Sequence, residues 1–320
     1  MFLSLGRQVK KNQQRIARRQ FCKRLLASVA VASLSSGALP DNRQDFRLKY
    51  IVASSLYGRM KLADILPEIH KTGAEHIDVW SKPHTDHREQ VEVLGHEQFL
   101  ALLKQHNLKL GILTRYDLGP FGIENEIRTA GKLGGSLVIC GSRGPYNLKG
   151  QALKAAIKEF GEKMKPYISA AEQASIIIGI ENHNASIIES AESIKWLVEL
   201  VSSSHLGIAL APYHLPQDPS IIANLIAGLG NRLVHFYAWQ YGMGCHKKLP
   251  KEQELLQLPG RGNLDFVPIV AALKKVNYKG WVEIFMHPVP RGVPILATAA
   301  AVTAEIERRR QYLESCLVKV

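Results

Sequence analysis

Eight times between residues 50 and 286 a short run of β-branched and aliphatic residues gives way to a longer amphipathic stretch, and Gly, Pro or Asn separates many of them. The runs are Tyr50–Ser54, His76–Trp80, Leu108–Leu113, Ser136–Cys140, Ile176–Glu181, Leu206–Leu210, Leu233–Ala238 and Trp281–Met286. The stretches between them predict helices near 61–72, 90–106, 122–134, 149–173, 187–201, 218–229, 264–276 and 299–313. Eight strand–helix pairs suffice to close a parallel sheet on itself, each crossover helix covering the outside, so the alternation predicts an α/β chain folded as a single (β/α)8 TIM barrel over 48–315. A length of 320 residues, 46% of them hydrophobic, suits one such domain, although two smaller ones fit the length as well. A doubly wound open sheet is the rival architecture. Against it, Ser54-Ser55-Leu56-Tyr57-Gly58 carries one glycine where a dinucleotide loop needs several, and no P-loop is present.

In a barrel, chemistry belongs at the carboxyl ends of the strands. There the chain is unusually polar: Glu181-Asn182-His183 ends the fifth run, Tyr213-His214 follows the sixth, and the last two carry His235, Tyr237 and Trp239, then Glu283, Phe285 and His287. Strand alternation puts Glu181 with His183, and likewise each of the two trios, on one face. Ile178, Ile180, Ile284 and Met286 fall on the opposite faces, so the polar sets are expected to point to a common mouth. A carboxylate inside a barrel is costly unless paired, which marks Glu181 as functional. His183, His214 and His287 stand where ligand contacts concentrate. Glu283 lies deeper and reads equally as a paired core group, as does His235. Tyr213, Tyr237 and Trp239 form either a wall for a sugar ring or a cap on the core. His84 and His87 read as members of a solvated loop, with a reach to the same mouth as the alternative. The glycine-punctuated stretch 239–248 is a candidate lid, with Lys247 or Lys248 as a cation for an anionic substrate.

The net charge of +13 points first to nucleic acid, but eight Lys/Arg and no Asp/Glu lie in residues 1–40, leaving 33 basic against 28 acidic residues and +5 for the rest. No basic stripe interleaved with aromatics appears, and no nucleic-acid partner is expected. The basic segment contains Arg18-Arg19-Gln20-Phe21-Cys22-Lys23, followed by an apolar run over 25–34 that falls well short of the roughly 20 residues of a membrane span. With small residues at Ser36-Gly37-Ala38, residues 1–38 read as a twin-arginine-type signal segment that sends the barrel to the periplasm or cell envelope. A frayed basic terminus is the plainer reading. Past it, Cys140, Cys245 and Cys316 match neither a disulfide framework nor a zinc cluster and read as buried thiols.

Ile180-Glu181-Asn182-His183, the segment Gly260-Arg261-Gly262-Asn263-Leu264-Asp265-Phe266 leading into a helix that ends before Asn277-Tyr278-Lys279-Gly280, and Trp281 opening the last strand resemble the xylose-isomerase-like TIM-barrel family. That family holds sugar and sugar-phosphate isomerases and epimerases and the endonuclease IV group; the leader places the chain with its exported members. The resemblance implies a divalent ion, manganese or zinc, held by Glu, Asp, His and Glu at the last four strand ends. Carried over, these positions fall on Glu181, Ala211, Tyr237 and Phe285, with Glu283 or His287 in place of Phe285 after a two-residue slip. Ala211 and Phe285 coordinate nothing and a phenol replaces imidazole poorly, so the usual ligand set is incomplete. A relocated set of Glu181, His214, Glu283 and His287 is the alternative.

The expected activity is therefore isomerisation or epimerisation of a polyhydroxylated carbonyl compound, with Glu181 as base, His214 or His287 as acid, and His183 polarising an oxygen; Glu283 completes the candidate catalytic set. A noncatalytic carbohydrate-binding barrel is the rival, and a lyase or hydrolase using the same pocket a third reading. The expected partner is a small carbohydrate-like molecule, and a homo-oligomer is compatible with such barrels. If the leader is a twin-arginine signal, replacing Arg18 and Arg19 together by Lys holds the full chain in the cytoplasm on cell fractionation, whereas an unchanged distribution removes the export reading.

Overall fold

The computed structural model describes residues 46–320, so the leader 1–38 lies outside the described residues. Eight parallel strands form a closed barrel in chain order: β1 Lys49–Ala53, β2 His76–Trp80, β3 Lys109–Thr114, β4 Leu137–Gly141, β5 Ile177–Glu181, β6 Leu206–Leu210, β7 Leu233–Ala238 and β8 Trp281–Ile284. Closure is made by β1 on β8, with Ile51 opposite Glu283. The helices among the described residues are α1 Leu62–His70, α2 His87–Leu94, α3 His96–Gln105, α4 Glu124–Lys132, α5 Gly150–Ala174, α6 Ala191–Leu200, α7 Pro219–Leu229, the single turn α8 Lys251–Glu254, α9 Val267–Lys275 and α10 Ala299–Val318. None is long and apolar enough to cross a membrane. The open doubly wound sheet is thereby excluded.

Local chemistry sets the boundaries that periodicity misplaces. The helix expected at 90–106 is two helices, because Gly95 sits at φ +83, closing α2 and opening α3. α6 starts at Ala191 rather than near 187, since Ser190 and Ser193 bond reciprocally to each other's backbone N–H in a capping box. α9 begins two residues past Asp265, whose Oδ1 accepts the Val267 N–H at 2.9 Å. In the Gly260-Arg261-Gly262 segment the second glycine is forced by contact: a Cβ on Gly262 would lie 2.6 Å from both Gln240 Oε1 and Leu256 O. β8 pairs only to Ile284, which leaves Phe285 to His287 to turn over the barrel end.

Asn182, fully buried, holds β5 and β6 together where their ladder ends. Its Oδ1 accepts the Ala211 N–H at 2.7 Å and its Nδ2 donates to Ala211 O at 3.0 Å. This amide sets the spacing between Glu181 and the turn bearing His214. Asn182→Ala strands both backbone groups in a water-free place and is expected to cost about 2–4 kcal/mol in urea denaturation. A loss below about 0.5 kcal/mol would show that the two strand ends hold without it.

Candidate active site

Glu181 is the last residue of β5, and a short 3₁₀ turn at Pro212–His214, started by proline, brings His214 over it. His214 Nε2 lies 3.7 Å from Glu181 Oε1, the two side chains being 3% and 4% exposed. Burial drives the Glu181 carboxyl well above the ordinary range, the Asp78 charge adds to this, and the Tyr237 hydroxyl only partly opposes it. Burial lowers His214 to about 2, with His183 and His246 adding. The proton of this pair therefore rests on Glu181, and His214 is a neutral imidazole whose Nε2 has no hydrogen-bond partner. In the free protein this pair thus rests with the proton on the group expected from sequence as base.

Below the pair lies a second polar layer. Thr114 Oγ1 donates to both oxygens of Asp78, at 2.7 and 2.9 Å, and His235 Nε2 stands 3.0 Å from Glu283 Oε2 in fully buried contact. Loss of water raises Asp78 to about 7 and Glu283 well above its usual value, while His235 falls to about 3. Glu283 thus sits fully buried against His235.

Above the pair the mouth is lined by rings. Trp80 stacks on Phe285 and Tyr116 at 4.9 and 5.8 Å, and Tyr213 stacks on Trp239 at 4.0 Å. His183 lies 4.1 Å from His214 on one side; His287 stacks on His84 at 4.7 Å on the other. Burial comes first in lowering His84 to about 4, His183 below its usual range and His287 well below it, so all three are neutral near pH 7. For His287 this speaks against the acid role. Gln257 fixes this wall: its Oε1 accepts from Trp239 Nε1 at 3.0 Å and from the His287 N–H at 3.2 Å, and its Nε2 donates to His287 O at 3.0 Å.

The loop after β2 is exposed at Lys82 and Pro83 but packed at Thr85 and, where α2 begins, at His87. His87 is fully buried, bonded to Thr85 and to Met60 O at 2.9 and 2.7 Å, which packs the loop and turns His84 into the mouth. The stretch 239–248 does lie across the site: the Tyr213 hydroxyl donates to Cys245 Sγ at 3.2 Å and accepts the Cys245 N–H at 3.0 Å. Lys247 and Lys248 point to solvent. The three cysteines past the leader are free and buried. Of the expected residues, Glu181, His183 and His214 form one cluster, and His287 stands across the rings from them. Asp78, Trp80, Tyr116, Gln257 and Arg291 were missed; only Asp78 and Trp80, alternating on β2, carried a readable signal.

The donors do not fit the divalent ion that the resemblance implies. The Ala211 methyl fills the Asp position, and Tyr237 meets the Phe285 ring at 5.1 Å where His and Glu would stand. Among the described residues, no three His, Cys, Asp or Glu side chains come together as metal ligands do.

The xylose isomerase-like TIM barrel family model matches residues 66–306, and the chain belongs to that family. It is 27% identical over 113 residues to D-psicose 3-epimerase of Enterocloster bolteae, a match spanning 34% of this chain and 33% of the relative. The fold is similar to the zinc-bound IolI protein, with TM-score 0.66 and 17% identity over 84% of this chain and 98% of that one. It is similar also to D-psicose 3-epimerase of Clostridium cellulolyticum with D-tagatose, with TM-score 0.63 and 16% identity over 84% and 99%. For 3-keto-D-glucoside 4-epimerase of E. coli the TM-score is 0.62 and the identity 16%, over 84% and 100%.

Because the folded-state pKa of Asp78 is raised, the stability its neutral form contributes is fully present below about 4 and lost as pH rises through about 7. The stability of the native protein relative to Asp78→Asn is therefore expected to fall between pH 4 and 8, by on the order of 4 kcal/mol for a three-unit shift. Urea midpoints across that range check it; a difference that stays flat or grows with pH would mean an ionised Asp78.

Proposed function

We propose that this barrel isomerises or epimerises a polyhydroxylated carbonyl compound by proton transfer through Glu181 and His214, without the family's usual ligand set. The observation that carries the reading is the protonated Glu181 set 3.7 Å from a neutral imidazole at the floor of an aromatic mouth. Glu181 gives its proton to the carbonyl oxygen while His214 Nε2 takes one from the adjacent carbon. The C–H electron pair becomes the C=C bond, the carbonyl π pair goes to the new O–H bond, and a neutral enediol forms. The carboxylate and imidazolium left behind attract each other by about 4 kcal/mol at that separation in an effective dielectric near 20. Returning the His214 proton to the former carbonyl carbon, while Glu181 recovers one from the neighbouring hydroxyl, completes an isomerisation. His183 and His287 supply neutral imidazoles for the hydroxyls of a sugar, and Trp239 and Tyr213, buried and stacked on each other, hold the wall beside them. Placement outside the cytoplasm belongs to the same proposal and rests on the leader alone.

A noncatalytic carbohydrate-binding barrel is the second reading, favoured by the aromatic filling of the Ala211, Tyr237 and Phe285 positions. Solvent-deuterium incorporation into a panel of aldoses, ketoses and oxidised sugars separates the two. Exchange that falls at least about 100-fold in Glu181→Gln, with folding checked by circular dichroism, supports proton transfer. Saturable binding without exchange supports the binding reading, and exchange that survives the substitution removes Glu181 from the chemistry.

A further inference from the structure

The polar groups of the mouth are nearly all uncharged in the free protein. Glu181 keeps its proton, and His84, His183, His214 and His287 are neutral. Asp117 at the rim is spoken for, since Arg115 donates to both of its oxygens at 3.0 and 2.8 Å and Ser81 to one at 2.7 Å. Arg291, in the loop after β8, is different. Its Nη1 donates to Pro288 O at 2.7 Å and its Nη2 to Cys245 Sγ at 3.2 Å, and no carboxylate among the described residues meets it.

Position follows from these contacts. The same Cys245 Sγ accepts from the Tyr213 hydroxyl, and Tyr213 stacks on Trp239 in the wall of the mouth. The guanidinium is near enough to His84, His183 and His287 that its charge adds to burial in holding all three neutral. It is partly buried, whereas Lys247 and Lys248 are exposed. Two of its five N–H groups are used, one on a weak sulfur acceptor, so the fork retains donors for an anion. Arg59, across the same loop at Gly292, is exposed and screened by solvent.

We infer that Arg291 is an anion subsite of the mouth, and that the ligand of this barrel is a sugar acid whose carboxylate pairs with it while the polyol part lies toward His84 and His183. A single half-buried guanidinium among neutral imidazoles balances one negative charge, which fits a carboxylate better than the two charges of a phosphomonoester. The inference rests on reading the mouth as a carbohydrate site, but not on catalysis there.

Calorimetric titration of the full chain with D-glucuronate and D-galacturonate, against D-glucose, D-galactose and glucose 6-phosphate, tests it. A uronate is expected to bind at least about 10-fold tighter than its neutral counterpart, with the gap narrowing at high salt. Arg291→Gln is expected to erase that gap and Arg291→Lys to restore part of it, circular dichroism confirming the fold in each. Uronates that bind no better than neutral sugars, or a gap that survives Arg291→Gln, overturn the subsite. Tighter binding of the phosphate ester overturns the carboxylate assignment. Uronate binding lost in Arg291→Gln with no deuterium exchange upholds the subsite and removes only the catalytic reading.

Discussion

A buried carboxyl group with no countercharge has one stable form at neutral pH, and the mouth of this barrel is arranged around that fact. Ionising the buried Glu181 would cost several kcal/mol of lost hydration, so the side chain keeps its proton. A protonated carboxyl leaves His214 nothing to pair with as a cation, and burial then keeps that imidazole neutral. With neither charge present, the rings of Tyr213 and Trp239 pack beside His214 without an electrostatic penalty. A divalent cation at this spot would reverse every step, since it would hold Glu181 ionised and demand further donors in place of the rings.

The scaffold tolerates such a change because the groups that close the barrel are separate from those that fill its mouth. Strand pairing and the helix faces are set by buried aliphatic residues such as Ile178, Ile180, Ile208 and Ile284. Solved relatives with 16–17% identity accordingly match with TM-scores of 0.62–0.66. Asn182 and Gln257 work at the boundary between the two sets. Each satisfies backbone groups left over where a strand stops, and by doing so fixes the wall residue beside it.

The strands were legible because runs such as Ile176–Glu181 and Leu206–Leu210 are buried on both faces and contain almost nothing but aliphatic side chains. Parity then placed Glu181, His235 and Glu283 correctly on inner faces. Helix ends were less readable, since Gly95 and the Ser190–Ser193 box act through one backbone conformation or one hydrogen bond rather than a repeat. The rim was least readable of all. The loop after β2 is polar in composition yet buried at Thr85, because His87 at the start of α2 bonds to it and to the Met60 carbonyl, and no spacing rule announces partners 2 and 27 residues away. Arg291 was missed for the same reason: its place depends on Cys245, from a different loop, reaching across to it. Where the proton rests in the Glu181–His214 pair was not readable, because alternation locates a side chain but says nothing of how much water surrounds it.

Charge in this mouth follows the water. The permanent cation, Arg291, stands at the half-wet rim, where a guanidinium keeps part of its hydration and costs little to hold unpaired. The floor, where hydration is gone, holds only groups that are neutral at rest and that become charged together when a proton moves from Glu181 to a ligand and from the ligand to His214. A transient ion pair of this kind is strengthened by the dryness that forbids a lone ion in the same place. A ligand bringing its own negative charge would be repelled by an ionised Glu181 but not by a protonated one. The neutral floor and the cationic rim thus favour the same ligand, anionic at the end that meets solvent and neutral at the carbon that reacts.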